Sequence, residues 1–147
     1  MKIDIGIKDK DRKAVAAALG QILADTYTLS LKTHNFHWNV TGPLFSVLHA
    51  LFEEQYKELV GAADEVAERI RALGHEAPGG LAEFARLTRI VDAGRPLAAK
   101  EMIARLLADH EAMVRHARAT KDLAEGVGDA ETGDMMIERM QEHAKTA

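Results

Sequence analysis

The chain has 147 residues, enough for one domain with its own core. Hydrophobic residues make up 47% and charged residues 29%, a globular balance, and 19 Lys and Arg against 23 Asp and Glu leave a net charge of −4, which does not by itself recruit nucleic acid. Cysteine is absent, which excludes disulfides, thiolate catalysis and zinc-finger ligation; no apolar run approaches a membrane span and no hydrophobic signal core opens the chain, so a soluble cytoplasmic protein is expected.

Residues 1–8 are short and mixed and read as an N-terminal tail; 9–147 read as the domain. A first helix is predicted from about Asp9 to Val40, because Val15, Leu19, Ile22, Thr26, Leu29, Thr33, Phe36 and Val40 recur at alternating steps of four and three. Leu23, Tyr27, Leu31, His34 and Trp38 form a second, partly apolar face, which suits packing in two directions, against the bundle and against a partner subunit. Thr41-Gly42-Pro43 ends this helix, and a second runs from about Pro43 to Leu73, stopped by Gly74. Pro78-Gly79-Gly80 breaks the chain again, and Leu81 to Leu87 is a candidate short helix in a long crossover. Further helices are predicted from about Pro96 to Glu125 and from about Ala130 to Lys145, with Gly126-Val127-Gly128-Asp129 as the loop. With no strand pattern, the reading is all-α: a four-helix bundle whose long crossover, carrying an extra short helix, lets helices two and three run parallel.

Candidate chemistry concentrates on helix two. His49 with Glu53, and Asp64 with Glu68, are two pairs at i,i+4 spacing, each on one helical face. Imidazole with carboxylates suits iron, manganese or zinc. On a helical wheel the apolar face holds Leu48, Phe52, Leu59, Val66 and Ile70, and the four polar residues lie beside it. The chain has no Glu-x-x-His motif, so the usual di-iron site inside one bundle is not available. From His49 to Asp64 is roughly 22 Å along a helix at about 1.5 Å per residue, too far for one ion. Two antiparallel copies across a twofold axis remove that obstacle: His49 of one would face Asp64 and Glu68 of the other, with His37 as a further ligand. The plainer alternatives are a solvated face for Asp64 and Glu68 and a half-buried interface role for His49. Like charges at i,i+4 are mildly unfavourable without a cation.

The run Lys32-Thr33-His34-Asn35-Phe36-His37-Trp38-Asn39-Val40-Thr41-Gly42-Pro43 resembles the signature of the Dps family, the ferritin-like mini-ferritins. Leu48-His49, Phe52-Glu53 and Asp64-Glu65-Val66-Ala67-Glu68-Arg69 follow in the same order and spacing. The resemblance implies a hollow homododecamer that oxidises Fe(II), preferably with hydrogen peroxide, and stores the ferric product, protecting DNA and cell from oxidative stress. It implies a ferroxidase centre between twofold-related subunits, binding up to two iron ions. His37 and His49 would come from one subunit, with Glu53 nearby, and Asp64 and Glu68 from the other. It also places Trp38 beside the centre as a trap for radical oxidant, a role compatible with plain packing. His34 is expected to be an interface residue. His75, His110, His116 and His143 show no convincing acid partner in the sequence, and Met135 and Met136 read as packing.

Asp129 and Asp134 flank the start of the last helix. The resemblance implies that acids in this region line threefold pores admitting Fe(II); helix capping is the plainer reading. DNA contact is the other open question. Residues 1–13 hold Lys2, Lys8, Lys10, Arg12 and Lys13 against Asp4, Asp9 and Asp11. Tails of this kind repeated on a shell would give weak, non-specific, salt-sensitive binding, unless Ile3, Ile5 and Ile7 pack the segment down. The rival to an iron-oxidising enzyme is a nucleoid-associated protein whose main work is coating DNA.

Overall fold

A computed structural model describes residues 3–147 and contains five helices, with no strand among those residues. They are α1 (Asp9–Asn39), α2 (Phe45–Ala72), α3 (Leu81–Leu87), α4 (Ala99–Gly126) and α5 (Ala130–Thr146). α1 packs most extensively on α2, and α4 on α5. Two apolar clusters fix the relative directions. One joins the first half of α1 (Val15, Leu19, Ile22) to the end of α2 (Val66, Ile70) and the end of α4 (Ala117, Ala124). The other joins the second half of α1 (Leu29, Phe36) to the starts of α2 (Leu48, Phe52) and α4 (Met102, Leu106). The starts of α2 and α4 therefore share one end of the bundle, so these helices run parallel and the segment carrying α3 crosses its length.

The eight positions of the α1 stripe, from Val15 to Val40, are each at most 1% exposed. Burying a large apolar side chain contributes about 1.5–3 kcal/mol, so this stripe and the matching Leu48, Phe52, Leu59, Val66 and Ile70 on α2 account for the α1–α2 pairing. The same burial explains why α1, although long and apolar enough by composition to cross a membrane, is a core helix here. The second face of α1 has a different fate. Leu23 is buried, but Tyr27, Leu31 and Trp38 stay exposed.

Helix starts depart from the sequence reading where proline was taken as a first-turn residue. Pro43 sits in the turn before α2, which begins at Phe45, and Pro96 lies three positions before α4. α4 starts where the Glu101 side chain accepts from the Ala98 backbone N–H at 3.3 Å. The N-terminal segment does not wave free throughout. Ile7 is buried, Ile5 is exposed, and Ile3 packs on Gly74 so closely that a Cβ there would lie 2.6 Å from Ile3 Cδ1. Gly74 also sits at φ +90°, so glycine at the end of α2 is required twice over.

Polar groups inside the bundle are paired across long sequence distances. Asp25, fully buried on α1, accepts from Thr88 Oγ1 (3.1 Å), the Arg89 backbone N–H (2.6 Å), and Arg89 Nε and Nη2 (2.9 and 2.7 Å). His116 Nδ1 on α4 lies 3.2 Å from the same carboxylate, an acid partner that spacing did not reveal. Buried Lys32 pairs with Asp109 at 2.6 Å and donates to the Val91 carbonyl at 2.8 Å. His110 and His143 meet through their Nδ1 atoms at 2.9 Å, beside the Arg139–Glu58 ion pair. Met136 is buried and Met135 packs against the same cluster, as packing residues do.

Burial pushes His110 down to about 4 and His143 down to about 3. Both are neutral in the fold at pH 7, whereas the unfolded chain protonates each near 6.5. Between pH 6.5 and about 4 the unfolded chain therefore binds more protons, and stability falls as pH falls through that window. The slope is about 1.4 kcal/mol per pH unit for each histidine well below its unfolded value. Melting temperature at fixed protein concentration is expected to drop steeply from about pH 6.5 downwards. A His143→Gln variant, less stable at pH 7, should show a shallower fall, and an equal slope in both proteins would overturn this assignment.

Candidate metal centre

The last turn of α1 and the first turns of α2 are folded onto each other by a short connection. The Val40 N–H closes α1 on the Phe36 carbonyl, Gly42 takes φ +102°, and the Phe45 N–H returns to the Gly42 carbonyl at 3.0 Å. That geometry sets His37 and His49 face to face, ring centroids 3.8 Å apart and planes 20° from parallel. Each ring is held by the other residue's backbone. His37 Nδ1 lies 2.7 Å from the His49 carbonyl, and His49 Nδ1 lies 2.8 Å from the His37 carbonyl. A carbonyl only accepts, so each Nδ1 carries the proton and each neutral ring keeps its lone pair on Nε2. Backbone carbonyls are common partners for metal-binding imidazoles, fixing tautomer and ring orientation in advance. This reciprocal lock is the feature of the site that spacing alone did not reveal.

Around the pair, Phe45 stacks on His49 at 5.0 Å, and Tyr56 meets His37 edge-on at 5.4 Å. His34 is sandwiched between Tyr56 and Trp38, each at 3.9 Å. Tyr56 lies two helical turns beyond His49, so it was accessible to the same helical-face reasoning. Glu53, half-buried one turn beyond His49, accepts from Lys57 Nζ at 2.8 Å. That hydrogen bond, with the Lys57 charge, holds the Glu53 carboxyl below its ordinary range. A carboxylate one turn from a pair of imidazoles is a donor set of the kind that suits Fe(II), although Lys57 must yield part of it to a metal.

Asp64 and Glu68 are exposed and lie far along α2 from the histidines. The structure therefore brings together His37, His49 and Glu53 and leaves Asp64 and Glu68 as a separate acidic pair. Among the described residues no group of three or more His, Cys, Asp or Glu side chains is arranged to hold a metal within one chain. Next to the histidines, Trp38, Leu44, Phe45 and Val47 are all more than a third exposed, an apolar rim that the described residues leave uncovered.

The two acids near α5 separate. Asp129 is fully buried: it caps α5 by accepting from the Thr132 N–H at 3.0 Å and Thr132 Oγ1 at 2.6 Å, and it pairs with Arg69 of α2 at 2.7 Å. The pore expectation for Asp129 is corrected on this ground, because a carboxylate so committed offers no free charge to an opening. Asp134 is exposed. Asp129→Ala is expected to lose about 1–3 kcal/mol of stability through the cap and the unpaired Arg69. Asp134→Asn should leave stability within about 0.5 kcal/mol. Denaturant unfolding of the two variants checks both, and equal losses would contradict the assignment.

The match to known proteins agrees with the fold. The ferritin-like domain family model covers residues 16–147. A "DNA protection during starvation protein" of Brevibacillus brevis is 35% identical over 88% of this chain and 87% of its own length. The crystal structure of a Dps protein from Bacillus brevis superposes with a TM-score of 0.91 at 32% identity, covering 99% of this chain and 94% of that one. This chain belongs to the Dps family. Within the family, an uncharacterised low temperature-induced protein of Nostoc is 38% identical over 99% of this chain and 83% of its own length. The Vibrio cholerae Dps structure, described as a member of a broad superfamily of ferritin-like diiron-carboxylate proteins, matches with a TM-score of 0.93 at 27% identity over 99% of this chain and 92% of that one. Family membership accounts for the bundle with a helical crossover.

Proposed function

We propose that this protein is an iron-sequestering ferroxidase that oxidises Fe(II) with hydrogen peroxide and retains the ferric product inside a homododecameric shell, in the bacterial cytoplasm. The observation that carries the reading is the pair of stacked imidazoles, both locked as Nδ1–H tautomers with Nε2 free. His37 and His49 bind the metal substrate, with Glu53 beside them. The partner subunit's Asp64 and the partner subunit's Glu68 complete each centre and balance the charge of up to two Fe(II). The reverse arrangement at the same twofold axis makes a second centre. The exposed apolar rim around the histidines is what such an interface would cover.

The chemistry balances simply. Two Fe(II) give one electron each, the O–O bond of peroxide breaks, and two protons are taken up to form two waters. No hydroxyl radical is released, which is how such a protein would protect DNA. Names of relatives, such as "DNA protection during starvation protein", support that physiological role. A DNA-coating role has less to work with than the sequence suggested. Arg12 is buried and donates to the Ile7 and Leu73 carbonyls, and Ile7 anchors the tail. Lys2 lies outside the described residues; Lys8, Lys10 and Lys13 remain exposed.

The test is anaerobic loading with Fe(II) followed by peroxide, with ferric absorbance and particle mass followed together. Rapid oxidation at about one peroxide per two Fe(II), in a particle of twelve chains, is expected. Oxidation no faster than iron in buffer would reject the enzyme reading. In the same assay Asp134→Asn is expected to slow uptake at low iron and low salt, because each substitution removes three like charges around a threefold axis. Unchanged uptake across ionic strengths would reject a pore role for Asp134.

A further inference from the structure

A second, smaller site lies between α2, α4 and α5, on residues that the ferroxidase reading does not use. It is a cavity of about 90 Å³, walled by Phe52, Ile103, Leu106 and Leu107, bordered by Thr146 and Ala147 at the end of α5, and reached by the polar side chains of Gln55 and His110. A hydrogen-bond chain determines what His110 presents there. Arg139 Nη2 is a donor only, and it lies 3.4 Å from His143 Nε2, which therefore accepts. The neutral His143 ring then carries its proton on Nδ1 and donates to His110 Nδ1 at 2.9 Å. His110 must in turn carry its proton on Nε2, on the ring edge away from His143. His110 is only 3% exposed, and its Nε2 has no hydrogen-bond partner among the described residues. Gln55 Oε1, an acceptor lining the same cavity, is also buried without one. A buried donor and a buried acceptor left unpaired beside a cavity call for an occupant that satisfies both.

We propose that this cavity binds a small uncharged hydroxyl compound, whose oxygen accepts from His110 Nε2–H and whose O–H donates to Gln55 Oε1. Pairing both groups at once excludes ions: an anion has no proton to give Gln55 Oε1, and a cation has no lone pair for His110 Nε2–H. The His110 ring is neutral at pH 7. Arg139 is neutralised by Glu58. A cavity of this size admits a ligand of only a few heavy atoms. Hydrogen peroxide and a short alcohol share this chemistry. Peroxide as the occupant rests on the proposed function; an alcohol does not.

Crystals of the assembled protein soaked separately in hydrogen peroxide and in ethanol decide the site. Density within hydrogen-bond distance of both His110 Nε2 and Gln55 Oε1 is expected in wild type and absent in Gln55→Leu, which keeps the side-chain volume and removes the acceptor. Only water in both soaks, or an occupant unaffected by Gln55→Leu, would overturn the proposal. Concentration separates the sources. If peroxide is the ligand, its density appears at soak concentrations at which ethanol leaves none. The reverse order assigns an alcohol. A wild-type protein that oxidises no Fe(II) would defeat the ferroxidase reading, while the soaks would still decide the cavity.

Discussion

A His37→Ala/His49→Ala variant and an Asp64→Ala/Glu68→Ala variant, each expected to be inactive alone, should recover activity when unfolded together and co-assembled. The expected recovery follows from symmetry. Across a twofold axis the same patch meets itself, so a pair of unlike variants forms one centre with every ligand and one with none. Random pairing of equal amounts makes half of the pairs unlike, which restores about a quarter of the wild-type centres. The structure supports this test, because His37 and His49 sit where the end of α1 meets the start of α2, whereas Asp64 and Glu68 lie far along α2. Asp64 and Glu68 are exposed, so removing them leaves the chain able to fold. Each parent should therefore remain a particle of wild-type mass with no peroxide-dependent Fe(II) oxidation. Co-assembled particles of correct mass that stay as inactive as the parents would mean that the centre is not shared between subunits.

The parts of the fold legible in the sequence are those set by local periodicity. The α1 stripe, the apolar face of α2 and the short α3 over Leu81–Leu87 all stand where patterning placed them, because each is fixed by residues within one or two helical turns. Proline misled at Pro43 and Pro96, where its fixed φ serves the approach to a helix rather than the first turn. The candidate site was legible in its side chains and not in its support. Spacing pointed to His37 and His49, but which ring nitrogen is free depends on carbonyls that only the folded turn brings within 2.8 Å. Asp129 was ambiguous for the same reason. Its partner Arg69 lies on another helix, and nothing near position 129 announces it. The tertiary partners of His110 and His116 were equally beyond reach, since helix-to-helix register is not written in the periodicity of either helix.

Asp25 is where a single substitution should do most damage to the fold. Asp25→Ala removes a fully buried carboxylate that joins α1 to the crossover at Thr88 and Arg89 and faces His116 on α4. It leaves the Arg89 backbone N–H and the Thr88 hydroxyl without their acceptor. Breaking a buried ion pair from one side costs about 3–5 kcal/mol. The Arg89 side chain is 35% exposed and can turn towards water, so the lower end, about 3 kcal/mol, is expected. For a domain of this size that corresponds to a fall of roughly 10 °C in melting temperature at fixed protein concentration. The damage should be local first. The Ile90 N–H bonds Thr88 Oγ1, and Ile90 packs in the same apolar cluster as Phe36 and Phe52, which back the histidine turn. Amide exchange in Asp25→Ala should therefore accelerate at residues 88–90 before it does in α2. Asp25→Asn, which keeps the size and one acceptor oxygen, should recover part of the loss. A melting temperature within about 2 °C of wild type, or exchange that accelerates uniformly along the chain, would show that Asp25 does not hold the crossover in place.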